Sequence, residues 1–127
     1  MSRLLRVDLI WNRACAGGGE APRSGDRALA ALLVFHGVAM NGGVLHAVEC
    51  IAPAQLSLAE AGYRFFGLNS VAALLSKARH IAESGHDLES HEELLDNEYA
   101  ELIPVDSYLV ERFEEYLKAS PFEFAPL

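Results

Sequence analysis

Four acidic side chains recur at helical spacing in the last third of the chain. Glu89, Glu92, Glu93 and Asp96 stand at positions i, i+3, i+4 and i+7, which places them on one face of an α-helix. Like charges at this spacing destabilise a helix by about 0.2–0.5 kcal/mol per pair. The row is therefore either a solvated surface that keeps the protein soluble or an electrostatic surface for a basic partner.

The acidic character extends over the whole C-terminal part of the chain. Residues 83–127 carry thirteen acidic and two basic side chains, whereas residues 1–82 carry five acidic and eight basic ones. Carboxylates one helical turn apart are about 5–6 Å from each other, comparable to neighbouring phosphates of a nucleic-acid strand. The side chains predicted to bind a partner are Glu89, Glu92, Glu93, Asp96, Glu98, Glu101, Glu111, Glu114 and Glu115.

Five histidines raise the question of a metal site. His80, His86 and His91 lie near Asp87 and Glu89 in the sequence, but their spacing matches no established pattern of zinc ligands. We therefore predict solvated histidines in this region and no bound metal.

Two other histidines flank an Asn-Gly-Gly turn. His36 falls on an almost entirely apolar helix, which favours a buried, hydrogen-bonded histidine over a catalytic one. His46 follows the turn that begins at Asn41. A small enzyme or metal binder, the least favoured hypothesis, would use these three residues or the region between His80 and His91.

No catalytic motif stands in the structural context that it requires. The chain has no nucleophile elbow, phosphate-binding loop or dinucleotide fingerprint. Gly17-Gly18-Gly19 follows a predicted helix instead of a strand, and no Lys-Ser/Thr pair follows it. We therefore predict a non-enzymatic protein that needs no cofactor.

The apolar residues recur with the period of a helix throughout the chain, and no segment alternates with the period of a strand. This predicts an all-α fold, a single compact domain (residues 1–127) of about six or seven helices. The predicted helices cover about residues 3–15, 26–40, 44–52, 57–66, 69–84, 90–103 and 106–119. Loop 16–25 is expected either to pack with the first helix on the domain or to be flexible.

Several residues carry local expectations. Asp26, Ser57 and Ser90 are interpreted as N-terminal helix caps. Cys15 and Cys50 fall on apolar helical faces, which predicts buried, unreactive thiols. Charged residues interrupt the first apolar stretch, which is then too short for a signal peptide, and we expect a cytoplasmic protein.

Three stretches in a fixed order are similar to a helical bacterial family. They are Asn41-Gly42-Gly43 after an apolar helix, AEAGYRFFGLNSVAALLSKA at 59–78 and LLDNEYAEL at 94–102 before the last helix. Over about residues 26–124 the chain resembles the DNA-mimic-protein family, whose members mostly have unknown function. The family pattern continues with a hydrophobic pair and a Gln, and this chain has His46 in place of the Gln.

The resemblance implies an all-α fold, no enzymatic activity and a structural role for the motif residues Asn41, Gly42, Gly43 and His46. In a characterised member, an acidic dimer imitates duplex DNA and binds a transcriptional repressor. By this resemblance the partner is a basic protein such as a transcription factor, a homodimer is an option, and the protein binds neither nucleic acid nor membrane directly. An immunity-type inhibitor of a basic toxin is the alternative, because it needs the same acidic surface.

Overall fold

The computed structural model describes residues 6–127, and within them it contains seven α-helices and no strand. This confirms the predicted all-α fold. The helices are α1 (Arg6–Cys15), α2 (Ser24–Gly42), α3 (Val44–Cys50), α4 (Pro53–Phe65), α5 (Asn69–Ser84), α6 (Leu88–Leu102) and α7 (Asp106–Ala119). A short 3₁₀ helix at Pro121–Glu123 follows α7.

Helix α2 is central because it is apolar on most of its circumference. It packs against α1, α3 and α4, and it buries Leu29, Leu32 and Phe35 in the one large hydrophobic core of the described residues. Gly62 of α4 lies against the main-chain carbonyl of Ala28, where any side chain would collide with the backbone. The absence of a side chain at this position allows α2 and α4 to pack closely.

Aromatic rings complete the core between α4, α7 and the C-terminal residues. The ring of Phe113 lies 5.7 Å from that of Trp11 and 5.5 Å from that of Phe124. Phe66 and Tyr116 contact the same cluster, with their centroids 5.3 Å apart. Aromatic pairs at such distances add about 0.5–1.5 kcal/mol each beyond the area they bury.

Two predicted capping boxes are wrong. Helix α4 begins at Pro53, whose fixed φ and missing N–H suit the first turn, so Ser57 lies inside the helix. Helix α6 begins at Leu88, and the Ser90 hydroxyl donates to the carbonyl of Asp87 at 2.8 Å instead of capping. Both helices therefore start earlier than the serine-based signal predicted.

The first helix and the cysteines also differ from expectation. The buried residues of α1 are Ile10 and Ala14, whereas Cys15, predicted to be buried, is exposed. Cys50 is exposed as well, because it lies at the outward end of the short helix α3. The predicted start of this first helix, at residues 3–5, lies outside the described residues.

In residues 6–127, no helix combines the length and the apolar character that a membrane crossing requires.

Candidate functional site

The acidic row of α6 is exposed over three of its four members. Glu89, Glu92 and Glu93 are exposed and form no ion pair with any described residue. Asp96 is only half-exposed, and its Oδ1 accepts the N–H of Val44 at 2.8 Å. The carboxylate of Asp96 thus caps the start of α3, and the free part of the row has three carboxylates.

The other two acidic residues of α6 lie on its opposite flank. With about 100° of rotation per residue, Glu98 and Glu101 point well away from the row that contains Glu92. The carboxylate of Glu98 pairs with the ammonium of Lys77 on α5 at 2.7 Å, which partly neutralises this flank. Only Glu101 remains there as an exposed carboxylate without an ion pair among the described residues.

Helix α7 adds a second outward acidic face. Its buried residues are Leu109, Phe113 and Leu117, and Glu111, Glu114 and Glu115 follow from the helical period as the residues on the opposite side. Glu111 and Glu115 are exposed and Glu114 is half-exposed, and none forms an ion pair with a described residue. The predicted acidic set therefore divides into the free row of α6, the opposite flank of α6 and the outer face of α7.

Three arginines of the N-terminal part pair with buried carboxylates, whereas the other basic side chains described in that part are exposed. Arg13 pairs with the buried carboxylate of Asp26 at 2.8 Å. Arg79 pairs with Glu60 at 2.6 Å, and Arg64 lies 3.6 Å from the same carboxylate. Asp26 also accepts the N–H of the residue three positions earlier, so it belongs to the first turn of α2 and is not its cap. These pairs neutralise part of the basic charge, and the unpaired carboxylates of α6 and α7 give the C-terminal part an acidic surface.

The Asn-Gly-Gly motif forms the junction between α2 and α3. Gly43 has φ 96° and ψ 165°, a region open essentially only to glycine, and its N–H closes α2 by donating to Ala39. Gly42 keeps a helical φ and lies against the ring of His46, so the residue with positive φ is Gly43, not Gly42. Asn41 is exposed at the end of α2.

A chain of hydrogen-bonded polar groups, the polar chain, runs from the exposed carboxylate of Asp106 into the core. His36 Nε2 lies 2.8 Å from Oδ1 of Asp106, and its Nδ1 lies 2.7 Å from the hydroxyl of Tyr99. The hydroxyl of Tyr99 lies 2.7 Å from that of Tyr63. The chain links α7, α2, α6 and α4, and it contains the buried, hydrogen-bonded His36 that the apolar helix predicted.

The direction of these hydrogen bonds follows from the chemistry of their ends. A carboxylate only accepts, so Asp106 accepts from His36 Nε2–H. When the imidazole of His36 is neutral, its Nδ1 accepts from the Tyr99 hydroxyl. The oxygen of Tyr99 in turn accepts from the Tyr63 hydroxyl. Burial raises the pKa of both tyrosines well above the ordinary value, and the nearby Asp106 charge raises that of Tyr99 further.

Sequence reasoning did not find the partners of His36. The signal in the sequence was a lone histidine on an apolar helix, together with tyrosines at inward positions of two other helices. Tyr99 and Asp106 lie 63 and 70 residues from His36, so only the packing of the helices brings them together.

The remaining histidines do not gather into a site. His46 and Cys50 are one helical turn apart on the exposed side of α3, with Cys50 Sγ 3.5 Å from each ring nitrogen. His36 and His46 form no hydrogen bond with each other, although both lie near the turn in the sequence. Within residues 6–127, no three His, Cys, Asp or Glu side chains are grouped as metal ligands would be.

Comparison with known protein families finds one family whose model matches most of the chain. The family described as DMP19-like protein matches residues 20–123 of the chain. The chain belongs to the DMP19-like protein family.

The match to the DMP19-like family covers α2 to α7 and the 3₁₀ helix, and it leaves α1 outside. The matched range contains the Asn-Gly-Gly junction, the acidic helices α6 and α7 and all four members of the polar chain. No curated protein and no solved structure matches the chain.

Proposed function

We propose that the protein is a non-enzymatic acidic module that binds a basic protein through the free carboxylates of α6 and α7, in the manner of a DNA mimic. The observation that carries this proposal is the separation of the two kinds of charge. Arg13 and Arg79 pair with buried carboxylates. Glu89, Glu92 and Glu93 are exposed and have no ion-pair partner among the described residues.

Membership of the DMP19-like family supports the mimic form of the proposal, because the family name denotes DNA-mimic proteins. Regularly spaced carboxylates on a rigid helix offer a basic surface the kind of charge array that a phosphate backbone offers. The helix orders the backbone that carries the carboxylates before binding, so binding does not require this part of the chain to fold.

The function rests on electrostatics and therefore has a clear kinetic signature. Complementary fields accelerate the association of charged proteins, and salt screens them over about 8–10 Å at physiological ionic strength. We expect the association rate to fall steeply as salt rises, while the dissociation rate changes less.

The test compares two variants that lose the same charge at different places. The partner is first captured from native cell extract at low salt, and its binding is then measured by surface plasmon resonance across a salt series. The test variant carries Glu89→Gln, Glu92→Gln and Glu93→Gln. The control carries the same change at three exposed acidic residues outside the row, Glu20, Glu49 and Glu83.

We expect the test variant to associate at least about tenfold more slowly and with a weaker salt dependence, and the control to stay near wild type. Equal rates for the two variants would refute binding through the α6 row. A parallel variant with Glu111→Gln, Glu114→Gln and Glu115→Gln tests the face of α7 in the same way.

Duplex DNA as a competitor separates the mimic from the alternative function. A partner that binds DNA through the same surface releases the protein when DNA is added. An immunity-type inhibitor instead blocks the activity of a basic toxin, and its complex survives DNA that the toxin does not bind.

A further inference from the structure

Helix α5 begins without a side chain that caps it. The residue before its first turn is Leu68, and the first bond of the helix runs from the N–H of Ala72 to the Leu68 carbonyl. The main-chain N–H groups of residues 69–71 therefore donate to no described residue. Such groups give the start of this 16-residue helix a partial positive charge, which favours an anion.

A cationic side chain of α7 lies against the same helix start. Nη2 of Arg112 lies 3.4 Å from the carbonyl of Phe66, at the end of the preceding helix. Gly67 makes room for the guanidinium, because a Cβ at this position would stand 3.1 Å from Nη2. Arg112 forms no ion pair with any described residue, although Glu111 and Glu115 are its neighbours on α7. Two positive groups thus adjoin each other without a carboxylate between them.

One nitrogen of this arginine independently indicates a ligand. Nε of Arg112 is buried and has no hydrogen-bond partner among the described residues. Nearly all buried donors in folded proteins have an acceptor, and a charged donor without one is especially unfavourable. The Nε–H and an Nη group form the fork through which arginine binds an oxyanion with two parallel hydrogen bonds. The unpaired Nε–H therefore points to an oxyanion as its acceptor.

The arginine and the helix start line one cavity of about 300 Å³. Two hydroxyl groups also line it, those of Ser70 on α5 and Tyr108 on α7, and both can donate to an oxyanion. Tyr108 and Arg112 are one helical turn apart, which places their side chains on the same face of α7. None of the described residues that line the cavity is acidic. Donors from two helices therefore converge on one space.

We propose that this cavity between the start of α5 and α7 is a binding site for phosphate. The guanidinium of Arg112 binds two of the phosphate oxygens, and the remaining oxygens accept from the main-chain N–H groups of residues 69–71. A carboxylate has only two oxygens and cannot reach both sets of donors equally well. The phosphate is either the free ion or the terminal group of a small phosphorylated compound, since both make the same contacts.

The phosphate site is separate from the surface that we propose for partner binding. Leu102, which lines the cavity, is the last residue of α6, whereas the free carboxylates of α6 lie in its first two turns. A bound phosphate would join the start of α5 to α7, and the contact with a basic protein does not depend on it.

Titration of the full-length, ¹⁵N-labelled protein with inorganic phosphate tests the proposal by two-dimensional NMR. The main-chain amides of residues 69–71 report on the helix side of the cavity, and the Nε–H of Arg112 reports on the arginine side. A titration with sodium chloride at matched ionic strength is the reference, because screening by salt alone also shifts exposed amides.

We expect these signals to shift more than the other amides and to saturate together below about 20 mM phosphate. Arg112→Gln should bind phosphate at least about tenfold more weakly, because the charge-assisted hydrogen bonds are lost. Arg27→Gln is the matched control, since it removes an exposed arginine of α2 that does not line the cavity, and it should bind as wild type does. If Arg112→Gln does not fold, the wild-type titration still locates the site residue by residue.

A separate titration with methyl phosphate distinguishes the two sources of the phosphate. Saturable shifts with both compounds support a small phosphorylated ligand, and saturable shifts with inorganic phosphate alone support the free ion. Three results would overturn the proposal: shifts that do not saturate at residues 69–71 with either compound, equal affinity for acetate, or a folded Arg112→Gln variant that binds phosphate as tightly as wild type.

Discussion

Tyr99→Phe should destabilise the protein far more than Tyr63→Phe, although each change removes one buried hydroxyl. The reason is the direction of the hydrogen bonds in the polar chain. With a neutral His36, Tyr99 donates to His36 and accepts from Tyr63, whereas Tyr63 stands at the end and only donates. The two substitutions therefore leave different groups without partners.

The magnitudes follow from what remains buried after each change. In Tyr63→Phe, one hydrogen bond is lost and every remaining donor keeps an acceptor, which costs about 0.5–1.5 kcal/mol. In Tyr99→Phe, two bonds are lost, and both the Tyr63 hydroxyl and Nδ1 of His36 remain without a partner in the core. Each such group costs about 1–3 kcal/mol, so the total for the two groups is about 2–6 kcal/mol. This is a large part of an ordinary unfolding free energy of about 5–15 kcal/mol.

Urea unfolding followed by circular dichroism at 222 nm measures the difference. With a denaturant slope of about 2 kcal/mol per molar urea, we expect the midpoint of Tyr99→Phe to lie about 1 M below that of Tyr63→Phe. Tyr108→Phe, at a half-exposed tyrosine, is the control and should stay within about 0.5 kcal/mol of wild type. Equal midpoints for the two buried variants, or a lower midpoint for Tyr63→Phe, would contradict the assigned direction of the chain.

Three further predictions concern the junction, the capping carboxylate and the tyrosines. Gly43→Ala should lower the free energy of unfolding by about 1–3 kcal/mol, because φ at this position is positive. Gly42→Ala should lower it by less, because φ at Gly42 is helical. A larger loss of stability for Gly42→Ala in thermal unfolding would reverse this assignment. Asp96→Ala should lower the free energy of unfolding by about 1–2 kcal/mol, because the cap of α3 is lost. Asp96→Asn retains an acceptor and should lower it by less. Equal urea midpoints for the two variants would exclude the capping role. Burial raises the pKa of Tyr63 and Tyr99 in the folded state, so their contribution to stability is complete below the unfolded pKa of about 10 and is lost as the pH rises above it. Ionisation of both tyrosines, followed at 295 nm, should coincide with the loss of helical circular dichroism. Ionisation that precedes unfolding would contradict this pH dependence.

The sequence alone determined the fold class and, to within about two residues, the C-terminal ends of the helices. Helical periodicity depends on residues three and four positions apart. It is therefore a local property of the sequence and predicts helices without knowledge of the tertiary structure. Gly85 illustrates this for a helix end, because its left-handed conformation closes α5 as the sequence predicts. The charge imbalance and the helical spacing of the acidic residues are likewise properties of the sequence.

Only the tertiary structure decided which of these charges remain free. Asp96 and Glu93 look alike in the sequence, yet rotation of α6 about its axis turns Asp96 toward the first N–H of α3, 52 residues away, and leaves Glu93 in solvent. In the same way, the packing of the helices brings His36 within hydrogen-bond distance of Asp106, which is 70 residues away in the sequence. Such pairs depend on the angles at which helices cross, and these angles are set by the fit of buried side chains across the whole core. The spacing of residues within one helix therefore cannot predict them.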